Sequence, residues 1–296
     1  MKHDGPIFLS FPNNINFEVR GKFEYETEEV KILAQAYLPG VVVLDSKIEP
    51  ATIVEYVESQ ERRIEKNDFG FRIYDNWNGK LSLDIWHFIY SLLRVYFLEQ
   101  KLFSVHASCA GKGKYVLLAG HTGSGKSTIL LKLLNDYGWT SFSGNKTIVS
   151  LGNGKIEAIF GTKSMSLGET DPARFPNLIS RKVNYQRRNA FIVDDKHYSH
   201  NSIEHISTIY LVKLNDGVSE IEELFYPSNL HSLYPYFLDV VNADTIMCDG
   251  EDVFVGTPPI GVQTFLSKKL KESLSKIKVI RISGSLEFVT KYIAES

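Results

Sequence analysis

The stretch GHTGSGKST, residues 120–128, decides how this chain is read. Gly120, Gly125, Lys126 and Ser127 fit the spacing G-x-x-x-x-G-K-[ST], and each position has a physical task. With few side chains in the way, the backbone amides of residues 121–127 can wrap phosphate oxygens. Lys126 reaches the terminal phosphates, and the Ser127 hydroxyl ligates magnesium. The nucleotide-binding set is therefore Gly120, His121, Thr122, Gly123, Ser124, Gly125, Lys126, Ser127 and Thr128. The flanks agree with this reading. YVLLA enters as an apolar strand, and STILLKLLNDYG leaves as a helix with Ile129, Leu130, Leu133 and Leu134 on one face and Gly138 as its stop. That helix points its positive end at the phosphates. A guanine-reading N/TKxD motif is absent, because Asn145-Lys146 is followed by Thr147 and Ile148, so the expected ligands are ATP and Mg2+.

Composition narrows the field further. A chain of 296 residues, 43% hydrophobic and 23% charged, can bury a full core in one large domain or two modest ones. With 33 Lys plus Arg against 35 Asp plus Glu, no overall charge favours a nucleic-acid partner. Cys109 and Cys248 lie far apart without metal-ligand spacing, which argues against a disulfide framework or zinc knuckle and for a reducing cytoplasm. The apolar run near the N-terminus is too short for a signal peptide, and IYSLLRVYFL is broken by Arg94. A soluble protein with no membrane partner is expected.

Working outward from the loop, LFSVHASCAGKGKYVLLAG reads as two strand-like runs separated by Gly111-Lys112-Gly113. So short a turn joins only antiparallel neighbours, so the sheet carrying residues 120–128 must be mixed. Upstream, DIWHFIYSLLRVYFLEQK is a helix with a wide buried face, and the domain boundary is placed there, giving units 1–83 and 84–296. The first unit reads as β-rich. NINFEVRGKFEYE suggests a hairpin turning near Gly21, and FGFRIYDNWNGKLSLDIW a second one at Asn78-Gly79. Between them GVVVLD is a short strand, and ATIVEYVESQERRIEK has helical spacing. The C-terminal part reads as helix, strand, helix, its lysines forming a solvated face.

The order helix, SVHAS, glycine turn, strand, GHTGSGKS, helix and returning strand WTSFSGNKTIVSL resembles the HPr kinase/phosphorylase family, with peptide serine kinases among its relatives and a more distant similarity to phosphoenolpyruvate carboxykinase. The resemblance covers about residues 84–160 and continues more loosely to Leu214. It implies an α/β fold with a mixed-sheet phosphate-loop core, and an ATP-dependent kinase acting on a small-molecule or peptide acceptor. It leaves a homo-oligomer open. The family's histidine before the loop falls on His106, and a basic step on Arg187-Arg188. Where the family has two adjacent aspartates, one of them the base, this chain has Gly144-Asn145. An amide cannot accept a proton at neutral pH. Three explanations stay open: an acceptor that is already nucleophilic, a base from elsewhere, or binding without transfer.

Two other segments offer the missing groups. AFIVDD ends an apolar strand in Asp194-Asp195, which reads either as a magnesium-holding acidic pair or as a strand running into a polar turn. His197, His200 and His205 lie in or beyond that turn at loose spacing, more in keeping with a solvated loop than a metal site. The segment 161–188, with two prolines and little periodicity, is expected to be a long loop or lid whose Lys163, Glu169, Asp171, Arg187 and Arg188 either contact an acceptor or form a solvated surface.

Overall fold

The computed structural model describes residues 2–3, 5–22, 25–61, 63–76, 84–167, 174–185, 188–199, 202–237 and 261–296. The first region contains strands β1 (Lys2–His3), β2 (Ile7–Phe11), β3 (Ile15–Arg20) and β4 (Tyr25–Glu26), then helix α1 (Thr27–Tyr37). Strands β5 (Val42–Leu44), β6 (Thr52–Glu58), β7 (Arg63–Asn67) and β8 (Gly70–Asp75) follow, and then helix α2 (Asp84–Glu99). A six-stranded sheet in the order β5-β2-β3-β6-β8-β7 forms its base, and β1 pairs separately with β4.

Two local expectations give way here. The first hairpin joins β2 to β3 across Pro12–Asn14, not across Gly21. Asn13 and Asn14 adopt positive φ angles of 65° and 59°, a conformation asparagine tolerates better than most residues and the one this tight turn needs. The segment read as a helix at ATIVEYVESQERRIEK forms β6 and β7 instead. Its β-branched Ile53, Val54 and Val57 suit a pleated strand, and β6 lies parallel between β3 and β8. A further hairpin joins β7 to β8 around Asp68-Phe69, leaving Phe69 at the exposed tip; the hairpin expected at Asn78-Gly79 lies outside the described residues. Helix α2 forms where the sequence places it. Its Ile85, Trp86, Phe88, Ile89 and Leu93 are completely buried in one apolar cluster with the first sheet and α1.

The remaining strands are β9 (Leu102–Val105), β10 (Ala107–Lys112), β11 (Lys114–Ala119), β12 (Thr140–Ser143), β13 (Thr147–Gly152), β14 (Lys155–Gly161), β15 (Ser164–Leu167), β16 (Ile179–Tyr185), β17 (Arg188–Val193), β18 (Glu204–Leu214), β19 (Glu220–Glu223) and β20 (Lys278–Gly284). Helices α3 (Lys126–Tyr137), α4 (Ser228–Phe237), α5 (Val262–Leu274) and α6 (Leu286–Glu295) complete the described elements. The large sheet runs β12-β10-β11-β18-β14-β13-β9, and β20 pairs with β18 and with β19. It is mixed, as the glycine turn requires: β10 and β11 are antiparallel through Gly111-Lys112-Gly113, whereas β11 and β20 flank β18 in parallel. The run before that turn is two strands, because the chain breaks pairing at His106 and sends β9 to the opposite edge beside β13. The segment expected to be a long loop or lid contains β15 and β16 and leads into β17, and the three form a small antiparallel sheet in the order β15-β17-β16. α3 and α6 cover one face of the large sheet with Ile129, Leu130, Leu133, Val289 and Ile293, while α4 and α5 cover the other with Leu233, Phe237, Leu266 and Leu270. The chain is thus a mixed α/β protein with mixed sheets. No helix among the described residues is long and apolar enough to cross a membrane.

Phe88 sits edge-to-face on Phe71 at 5.3 Å and joins α2 to the first sheet. Phe88→Ala should lower unfolding stability by about 3–5 kcal/mol in a urea titration. Phe69→Ala, at an exposed hairpin tip, should change it by no more than about 0.5 kcal/mol.

Candidate functional site

Residues 120–125 connect the end of β11 to the start of α3. The parallel neighbour β18 outruns β11, since Ala119 pairs with Leu211 and β18 continues to Leu214. The extra length braces the loop, with the Leu214 N–H donating to the Ser124 carbonyl at 2.9 Å. Glycine is required where the two meet. Gly125 has φ 94°, and a Cβ there would lie 2.4 Å from the Leu214 side chain. At Gly120 a Cβ would lie 2.5 Å from Ser124 Oγ and 2.7 Å from the Val212 carbonyl.

Lys126 opens α3 and folds back into this loop, its Nζ donating to the Gly120 carbonyl at 2.7 Å and the His121 carbonyl at 3.1 Å. It is 6% exposed, and desolvation lowers its pKa to about 8. Among the described residues no acidic side chain offsets that burial, and the ammonium rests against carbonyl dipoles. Ser124 Oγ is buried without a hydrogen-bond partner among the described residues. A buried cation, an unsatisfied hydroxyl and the N-terminus of a 12-residue helix make a donor set suited to an anion. Ser127 follows Lys126 in the first turn of α3, half-buried.

The sheet register brings two further sequence candidates to the same end. Ala107 pairs with Ala119, so His106 lies beside the beginning of the loop. Strand β12 runs antiparallel to β10 and delivers Gly144-Asn145 there, with Ser108 Oγ donating to the Gly144 carbonyl at 2.6 Å. Thr162 Oγ1 accepts from the Asn145 and Lys146 amides at 3.0 and 3.1 Å, and Gly144 donates to the Thr162 carbonyl at 2.8 Å. The corner around Asn145 is therefore held through its backbone by the hydroxyl and carbonyl of Thr162. Lys146 turns away toward the first region, donating to the Tyr37 carbonyl at 2.9 Å with its ammonium 3.3 Å from the Tyr90 ring centroid.

Asp194 and Asp195 stand elsewhere. Their strand β17 belongs to the small sheet, and it is β18 that lies parallel beside β11. The two acids line a cavity of about 490 Å³ with Glu28, Lys31, Lys163 and Tyr198, separate from the loop. A hydrogen bond from Lys196 holds the Asp194 carboxyl below its ordinary range. Among the described residues no group of three or more His, Cys, Asp or Glu is placed to hold a metal. Arg187, Glu169, Asp171 and His200 fall outside the described residues, as does the side chain of Arg188.

Beside the loop opens a second cavity of about 510 Å³, lined by residues 120–124 and 211–214 with Ser232, Tyr236 and Arg281. The last three come from α4 and β20, roughly a hundred residues and more downstream of the loop. Reading the sequence missed them because no local spacing links them to GHTGSGKST.

No protein-family model matches the chain, and no curated protein matches it. Among solved structures it is similar to the HPr(Ser) kinase/phosphatase from Coxiella burnetii, at 10% identity over 65% of this chain and 91% of that chain, with a TM-score of 0.28. That is a distant structural resemblance only.

The buried ammonium carries a pH signature. Lys126 binds its proton less tightly in the folded chain than in the unfolded one, so between about pH 8 and 10.5 unfolding takes up a proton and stability from this group rises with pH. Relative to Lys126→Met, the wild-type chain should gain roughly 3 kcal/mol between pH 7 and 11 in paired urea titrations. Parallel curves for the two proteins would mean that the ammonium is well solvated.

Proposed function

We propose that the chain is an ATP-dependent phosphotransferase that binds the nucleotide at residues 120–128 and transfers a phosphoryl group to a small-molecule or peptide acceptor. The observation that carries this reading is the burial of Lys126 inside a glycine loop between a parallel strand and a helix, where only backbone carbonyls balance its charge. Anionic phosphate oxygens would be better partners for that ammonium than the carbonyls of Gly120 and His121. The amides of residues 121–127 and the positive end of α3 add further donors, and the Ser124 hydroxyl supplies one more.

In this proposal catalysis consists mainly of positioning and charge neutralisation. Lys126 holds the phosphoryl group being transferred. His106, at the loop end of the sheet, balances phosphate charge, and Arg187 and Arg188 contribute positive charge to the acceptor side. Ser127 would hold a magnesium ion, which would supply Lewis-acid neutralisation of phosphate oxygens, whereas Asp194 and Asp195 line the other cavity. Asn145 orients the acceptor by hydrogen bonds without removing its proton. Residues 1–83 form a β-rich N-terminal unit and 84–296 the transferase unit, with α2 lending its apolar surface to the core of the first.

The identity of Asn145 favours a second reading, in which the chain holds nucleotide for a regulatory purpose and transfers nothing. Phosphorus NMR with Mg-ATP and a small-molecule extract of source cells separates the two. Transfer predicts a new phosphorus resonance growing with ADP, slowed at least about a hundredfold by Lys126→Ala. ATP that binds yet stays intact would leave the regulatory reading. If the chemistry merely lacks a base, Asn145→Asp should raise transfer to hydroxyl acceptors by about tenfold or more, and an unchanged or lower rate would refute that idea.

A further inference from the structure

The cavity beside the loop has one face that phosphate chemistry does not explain. Gly120–Ser124 form one wall, and opposite them stand Tyr236 and Arg281. The Tyr236 ring lies 5.5 Å from the His121 imidazole, centroid to centroid, with the planes inclined at 50°. Tyr236 is half-buried at the end of α4, next to Phe237, which is 1% exposed and anchors the helix in the core. Burial raises the Tyr236 phenol above its ordinary range, with the Arg281 charge opposing that rise. Arg281 is fixed across the sheet surface by hydrogen bonds to Glu222 at 2.6 Å and Ser232 at 3.1 Å. The Tyr236 ring is therefore carried by a helix anchored in the core, with Arg281 on the neighbouring strand, and adjoins a loop rich in anion donors.

A ring-bearing anion is the ligand this combination fits. Its charged end would meet the loop and Lys126, and its flat apolar end would meet the aromatic wall, along the carboxyl ends of the parallel strands β11 and β18 where open α/β sheets bind ligands. Aromatic side chains next to a phosphate site offer a base both stacking area and an edge to contact.

We infer that Tyr236, with His121 beside it, is the base-binding platform of the site, and that the ligand is a nucleoside polyphosphate recognised by its base as well as by its phosphates. This rests on the nucleotide reading above and adds to it the place and chemistry of base recognition.

Calorimetry with two probes tests it: Mg-ATP, and magnesium tripolyphosphate, which has the charge and no base. For the wild-type chain ATP should bind more tightly than tripolyphosphate. Tyr236→Ala should weaken ATP by about five- to a hundredfold while leaving tripolyphosphate within about twofold. Tyr236→Phe, which keeps the ring, should retain ATP affinity and so reports that the fold is intact. Lys126→Ala should weaken both probes. If Tyr236→Ala leaves ATP affinity unchanged while Lys126→Ala lowers it, the platform is wrong and the nucleotide reading stands. If neither probe binds the wild-type chain, both fall.

Discussion

The parallel pairing of β11 with β18 is the constraint on which the loop depends. A strand ending in a glycine loop has no reason of its own to hold one shape. Here β18 runs three residues beyond the last paired position of β11 and hydrogen-bonds the loop from the side. Its terminal Leu214 leaves room only for a residue without a Cβ at Gly125. The loop so fixed folds Lys126 inward and desolvates it. The ammonium is thus buried against neutral carbonyls of a loop that β18 braces, and an anionic ligand would offset its desolvation.

The same strand also organises the opposite side. β18 carries β20 in parallel on its other edge, β20 positions Arg281, and Arg281 is tied to Ser232 on α4. The loop, the aromatic ring at Tyr236 and the charge at Arg281 therefore share one rigid frame. At the other side of the loop, β10 and β12 bring His106 and Asn145 to the same sheet end, with Thr162 closing the corner. An amide at Asn145 offers hydrogen bonds but cannot take up a proton, so under the proposed transfer either the acceptor is already nucleophilic or another group serves as base.

What could be read from the sequence was local. The loop, α3 and the glycine turn at Gly111-Lys112-Gly113 each encode themselves within a few residues, and the antiparallel step followed from turn length alone. Helix α2 was legible because its apolar positions recur at helical spacing on a wide face. The errors arose where local signals compete. In ATIVEYVESQERRIEK the spacing of apolar residues imitated a helix, and the β-branched residues of a strand buried between two parallel neighbours were the better guide. The turn at Pro12–Asn14 depends on left-handed asparagines, a weaker mark than the glycine at Gly21. Segment 161–188 looked like a lid because its strands are short and separated by polar stretches. Tyr236 and Arg281 were out of reach, since only the sheet order joins them to residues 120–124.

The central claim is that the glycine loop braced by β18 is where a nucleotide binds. Backbone amide NMR during titration with Mg-ATP addresses it residue by residue. The account predicts the largest shifts at Gly123, Gly125, Lys126 and Leu214, with smaller changes reaching Tyr236. Shifts concentrated at Lys163, Asp194 and Asp195 instead, or none at all at millimolar nucleotide, would contradict it.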